Sequence, residues 1–209
     1  MDTSLNREQI LDLDKRYRTA LINSLSGVRT AFIGITGEHE QWNATTLSNV
    51  THVGAHPAQL SVLFRPQSTN SHTLKNYRNF GIMTLICMPF HKCDTVHEVS
   101  VNAPKDVFEL ELLDEPVQNF EGWDHPIPKD FIYAIEIEYV EEFTLNNQCI
   151  YTVGSINQLR WSEKLQINEQ GQVFFQESPV LAIGLQHYTS IHTEGKQLPY
   201  PKKDNYHFE

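Results

Sequence analysis

"AQLSVLFRPQSTNSHTLKNYRNFGIMTLICM", residues 58–88, is the stretch whose reading decides how this chain folds. Residues 58–64 are apolar and β-favouring, and Pro57 stands just before them, where its missing N–H does not break a ladder. Arg65-Pro66 then ends strand pairing, and a turn rich in hydroxyls follows. Ser71 is placed to cap a short helix from about His72 to Phe80, and Gly81 is placed to stop it. "IMTLICM" (82–88) returns as a strand apolar enough to be buried on both faces.

Outward from this unit the signal stays mostly β. "RTAFIGI" (29–35) and "WNATTLSNV" (42–50) read as strands around a "TGEHEQ" turn. "VFELELL" (107–113) alternates like a strand. "FIYAIEIEYVEEF" (131–143) sets Glu136 and Glu138 on one side and Ile135, Ile137 and Tyr139 on the other, which assigns both carboxylates to a solvated outer face. "QCIYTVGSINQLRW" (148–161) and "SPVLAIGL" (178–185) complete the set. Only residues 7–25 add a second helical pattern, with apolar side chains at Ile10, Leu13, Tyr17, Leu21 and Leu25. Asn6 and Gln9 are spaced like a capping box, and Gly27 reads as the stop. About seven strands with two helices favour a closed barrel or sandwich over a parallel sheet. The chain divides into a helical segment (1–28), a β domain (29–190) and a polar, Pro-rich tail (191–209).

The 209 residues are 40% hydrophobic, enough for a sizeable core. With 26 acidic and 16 basic side chains the formal charge is −10, which argues against nucleic acid as a partner. A small anion in a local basic pocket remains compatible with it. Cys87, Cys93 and Cys149 form no CxxC pair, and an odd count fits a reduced, cytoplasmic protein. The N-terminus is too charged for a signal peptide, and no stretch has the length of a membrane span, so no membrane association is expected.

The chemistry concentrates at the end of the 58–64 strand. Arg65 precedes Ser68, Thr69, Ser71 and Thr73 at a helix start, where backbone N–H groups lack partners and the helix dipole adds positive charge. A guanidinium beside such an end suits a phosphate. The same residues also fit a plain cap at Ser71 and an ion pair between Arg65 and an acidic neighbour. No Gly-rich run precedes a Lys-Ser/Thr, so this is not a Walker loop. Cys87, His91, Cys93, Asp94 and His97 lie close together, but their spacing does not match zinc ligation, and no metal is expected. Trp42 fits either ligand stacking or core packing.

At this point "THVGAHPAQLSVLFRPQSTNSHTLKNYRNFG" resembles the FMN-binding split-barrel family of flavin reductases and flavoredoxins. His52-Val53-Gly54, Pro57, Arg65-Pro66, His72-Thr73-Leu74, Asn76 and Gly81 match the family's "VHLG-NP", "RP" and "HTL-NI--TG" elements. "LINSLSGVRTAFIGITG" is similar to the family's "NLINSLSG-KSANLIGT". "VHEVSV" aligns His97 and Ser100 with an "AHQTSA" element, and Gly154 matches the centre of a late strand pair. The chain departs from the pattern at Ser48-Asn49, where Ser-Ser is common, and at Ile86, where Asn is usual.

The resemblance implies a mainly β, six-stranded Greek-key split β-barrel with a few peripheral helices, usually a homodimer. It implies FMN, with its phosphate at Arg65, Ser71, His72 and Thr73 and its ring along Thr45, Thr46, Leu47, Ser48 and Asn49. His97 would lie near the ring as the catalytic residue, able to tune or protonate it. The implied activity is hydride transfer from NADH or NADPH to flavin or a downstream acceptor. A non-enzymatic FMN-binding carrier or sensor shares the same motif, and so does a module for another phosphorylated ligand.

Overall fold

Residues 4–38, 41–66, 71–101, 103–104 and 107–191 are described by the structure, a computed structural model. Ser68, Thr69 and the tail beyond Ile191 lie outside the described residues. The N-terminal pattern forms α1 (Arg7–Asp12) and α2 (Lys15–Leu25), followed by β1 (Val28–Thr30), β2 (Phe32–Glu38) and β3 (Gln41–Leu47). Next come β4 (Val50–Ala55), β5 (Ala58–Phe64), α3 (His72–Phe80) and β6 (Ile82–Cys87). The middle of the chain gives α4 (Cys93–Glu98), α5 (Glu109–Leu112), β7 (Val117–Gln118) and β8 (Ile127–Pro128). Two long strands, β9 (Tyr133–Thr144) and β10 (Ile150–Trp161), precede β11 (Leu165–Ile167), β12 (Val173–Phe175), β13 (Leu181–Ile183) and β14 (His187–Thr189).

Seven strands pair in one antiparallel sheet in the order β3-β2-β6-β9-β10-β5-β4. Its two edges, β3 and β4, are successive in the chain, separated only by Ser48 and Asn49. Three peptide units span at most about 11 Å. The edges must therefore converge at that point, and the sheet curls. It does not close, because no ladder joins β3 to β4. The strand pattern favours a closed barrel or sandwich and the resemblance implies a six-stranded split barrel; the structure has seven strands in an open, curled sheet. The additional strand is β4. Its residues are mostly exposed and its register shifts between His52 and Gly54, so no alternation of burial announces it.

Each face of the sheet buries its own core. On one face Phe32, Met83, Leu85 and Ile137 pack with Leu74 and Tyr77 of α3. On the other, Ile33, Ile35 and Ile86 pack with Val96 of α4 and Leu110 of α5. β6 feeds both faces, as its apolar sequence requires, and five of its six residues are buried. Trp42 belongs to this packing, edge-on to Phe108 with ring centroids 5.7 Å apart. Among the described residues, no helix is long and apolar enough to cross a membrane.

Four sequence expectations change. The 7–25 helix is two helices, because Leu13 is extended and Asp14 starts a new cap, accepting from the N–H groups of Arg16 and Tyr17. Neither helix buries a residue. The 42–50 strand ends at Leu47, where the chain turns from one sheet edge to the other. Residues 109–112 are helical rather than extended, since Phe108 and Leu110 reach one core while the buried Glu109 accepts from the N–H of Ala44 at 2.7 Å. Glu138 is exposed as expected, but Glu136 is only 3% exposed. Its carboxylate accepts from Gln158 Nε2 at 2.9 Å and from the Asp124 N–H at 3.3 Å, which satisfies it inside.

Candidate functional site

The turn between the two sheet edges forms one wall of a cleft of about 240 Å³. Thr46, Leu47, Ser48 and Asn49 line that wall, and Leu63, Phe64 and Arg65 bring in the end of β5. Opposite stand His97 and Ser100 at the end of α4, and the β13–β14 hairpin through Gly184, Leu185 and Tyr188. Strand pairing explains the meeting. The Leu63 N–H donates to the Asn49 carbonyl at 3.0 Å, which lays the turn along β5 where Arg65 emerges. The Thr46 hydroxyl donates to the Val96 carbonyl and ties β3 to α4.

Six residues expected from the sequence therefore converge here: Thr46, Leu47, Ser48, Asn49, Arg65 and His97. Thr45 stands one step back on β3, opposite Gly34 of β2. Ser71, His72 and Thr73 do not line this cleft. The Ser71 hydroxyl accepts from the Leu74 N–H at 3.4 Å as the helix cap. Thr73 is buried and its hydroxyl accepts from Asn43 Nδ2 at 2.8 Å, joining α3 to β3. His72 is half-buried at the first position of the helix, where N–H groups have no intrahelical acceptor.

Arg65 is not turned against an acid. Its Nη2 donates to Asn23 Oδ1 on α2 at 2.9 Å. Burial, and then the nearby charge of Arg29, draw its pKa below the ordinary arginine value. Arg29 donates through Nη1 to Asn49 Oδ1 at 2.8 Å and through Nη2 to the Asn23 carbonyl at 3.3 Å. Its Nε is buried without a partner. Among the described residues neither guanidinium pairs with a carboxylate. Two cations thus lie together with no countercharge among the described residues, which is an arrangement for attracting an anion.

His97 is exposed at the rim of the cleft, with Nδ1 3.1 Å from the Tyr188 hydroxyl and the rings edge to face at 5.6 Å. Burial pushes the Tyr188 phenol up, so it stays neutral. Asn23 and Arg29 lie within the "LINSLSGVRTAFIGITG" stretch that resembles the family, but nothing local in it shows that they meet Arg65 and Asn49, and Tyr188 carries no local motif. Tyr188 is ninety-one positions from His97. Among the described residues, no group of three or more His, Cys, Asp or Glu side chains could hold a metal ion.

No protein-family model matches the sequence, and no curated protein matches it either. Solved structures do. A protein from Shewanella frigidimarina NCIMB 400, assigned as a flavin reductase with a split-barrel domain, superposes with a TM-score of 0.87. It is 24% identical over 96% of this chain and 100% of its own. Nitrilotriacetate monooxygenase component B from Bacillus cereus gives 0.77 at 16% identity, over 94% of this chain and 99% of its own. An FMN-binding protein from Thermus thermophilus gives 0.68 at 18% identity, over 82% and 91% respectively. The curled sheet with its helices is the fold that this chain shares with these three proteins.

Proposed function

We propose that this chain is an FMN-binding oxidoreductase of the flavin reductase type, which takes a hydride from NADH or NADPH and passes electrons to flavin or another acceptor. One observation carries the reading: among the described residues Arg29 and Arg65 stand without a carboxylate partner beside a cleft, on a chain of net charge −10. The proteins of the same fold are named for flavin reduction, for FMN binding and as a monooxygenase component. The donor set fits a phosphorylated flavin, since guanidiniums without a carboxylate partner among the described residues favour a phosphate.

In this reading Arg65 would hold the phosphate, whereas Ser71, His72 and Thr73 stand outside the lining of its cleft. Thr45 to Asn49 would supply backbone and side-chain hydrogen bonds to the ring. FMN, when bound, supplies the hydride-accepting chemistry. The chain's own residues position the reactants and exclude water, which needs no catalytic triad. His97 is held at Nδ1 by the Tyr188 hydroxyl, which leaves Nε2 as the ring nitrogen available for proton exchange. The cleft is smaller than most small-molecule sites, which run from about 300 Å³ upward, and this reading has a homodimer in which a second copy of the chain completes it. A cytoplasmic setting supplies the reduced nicotinamide.

The visible absorption spectrum of the purified or FMN-reconstituted protein, followed by steady-state NADH and NADPH oxidation, tests this. The expected outcome is a yellow protein with FMN-dependent turnover. A yellow protein without turnover identifies a carrier. A colourless protein that ignores FMN, yet melts higher with another phosphorylated compound, refutes the flavin reading.

A further inference from the structure

Only one orientation of the Asn49 amide is compatible with its neighbour. Arg29 Nη1 lies 2.8 Å from Asn49 Oδ1, and a guanidinium has donors only, so the atom facing it must be the carbonyl oxygen. Nδ2 is the end left for the cleft that Asn49 lines. A second amide is fixed by the same logic. Asn23 Oδ1 accepts from Arg65 Nη2 at 2.9 Å, while Asn23 Nδ2 donates to the Thr19 carbonyl at 2.8 Å. The Asn23 backbone carbonyl also accepts from Arg29 Nη2 at 3.3 Å. A relay therefore runs from α2 through Arg65, Asn23 and Arg29 to Asn49 at the edge turn.

Every acceptor in this relay is neutral. An aspartate at 23 would meet Arg65 with a charge-assisted bond and cancel its charge, at the cost of the Nδ2 bond to the Thr19 carbonyl. The neutral amide leaves the positive charge uncancelled instead. The buried, unpartnered Nε of Arg29 belongs to the same pattern.

We propose that Asn23 is a positioning residue that holds Arg29 and Arg65 as an uncompensated pair, and that Arg29 presents Asn49 Nδ2 to the cleft as a hydrogen-bond donor. Together they select a ligand with a phosphate dianion and an acceptor-bearing ring edge, so FMN is preferred over uncharged riboflavin. The inference rests on the flavin reading above, and its test separates the two.

The full-length protein and Asn23→Asp are titrated with FMN, riboflavin and inorganic pyrophosphate, and their thermal unfolding is followed on the same samples. In Asn23→Asp, affinity for FMN and pyrophosphate falls at least about tenfold and riboflavin changes less than about twofold, with the unfolding curve establishing that the variant is folded at the titration temperature. A merely structural Asn23 would leave the FMN-to-riboflavin ratio at its wild-type value, and that result overturns the role. Arg29→Gln gives the same loss of preference by a route that adds no carboxylate. Asn49→Asp keeps Arg29 paired but removes the donor, so both flavins weaken about tenfold or more. Unchanged riboflavin binding there overturns the assigned donor. If the wild type binds neither flavin, the flavin reading falls and pyrophosphate decides the guanidinium pair. Binding lost in Asn23→Asp upholds it, and no binding by the wild type refutes it.

Discussion

Gly154 lies where β10 passes beneath the ring of Tyr77, and a Cβ there would come within 2.4 Å of the phenol oxygen and 3.1 Å of the Ile137 Cβ. Tyr77 is fully buried, edge-on to Tyr139 at 5.3 Å, and its hydroxyl has no partner. The ring has nowhere to retreat, so Gly154→Ala is expected to destabilise the fold by about 1–3 kcal/mol. Urea denaturation measures this, and adding Tyr77→Phe recovers part of the loss because it removes the crowded oxygen. An unshifted midpoint in the single variant would show that the ring yields freely. The central glycine was visible in the sequence as part of a family pattern, but its reason was not, since Tyr77 sits on a different element. The same limit applies to Glu136. Alternation placed it beside Glu138, and only Gln158 and the Asp124 amide explain why one carboxylate goes in and the other out.

Among the elements, α3 and α5 show which signals a sequence carries. The boundaries of α3 follow from two local residues: Ser71 caps it, and Gly81 takes the left-handed φ of 80° that ends it. Helix α5 has four residues and no side-chain cap, and it is held by what it touches. Its Glu109 carboxylate occupies the N–H of Ala44 on edge strand β3, so the helix blunts an edge that could otherwise pair with another chain. Glu109→Ala leaves that buried N–H unpaired and is expected to lower stability by roughly 1–3 kcal/mol. Glu109→Gln, whose amide oxygen still accepts, loses much less. Equal denaturation midpoints for the two variants would remove the edge contact from the account. Strand β4 was unreadable for the opposite reason. It is exposed and bulged, so it displays no apolar period, and pairing with β5 alone makes it a strand.

At the scale of the whole molecule, His125 links the β2–β3 hairpin to the sheet centre. Its Nε2 donates to the Gly37 carbonyl at 3.1 Å, leaving Nδ1 to accept from the Thr84 hydroxyl at 2.9 Å. Burial pushes its pKa down to about 4 from the ordinary 6.5, the Gly37 bond opposing only in part. Between those two values the unfolded chain binds a proton that the native protein refuses. Stability from this group is therefore complete above about pH 6.5 and is lost as pH falls toward 4, amounting to about 2 kcal/mol between pH 7 and pH 5. Chemical denaturation at the two pH values should show that difference, and His125→Gln should shrink it. The overall architecture was legible because long strands and the 58–88 unit carry their own patterns. The manner of closure was not, because it depends on β4 and on a turn that joins the two outermost strands.

That turn has a mechanical consequence. Ser48 and Asn49 are the fulcrum about which the two unpaired margins of the sheet can splay, and they are also a wall of the cleft. Whatever wedges itself there acts as a rivet through the pivot of a pair of shears, stiffening blades whose far ends it never touches.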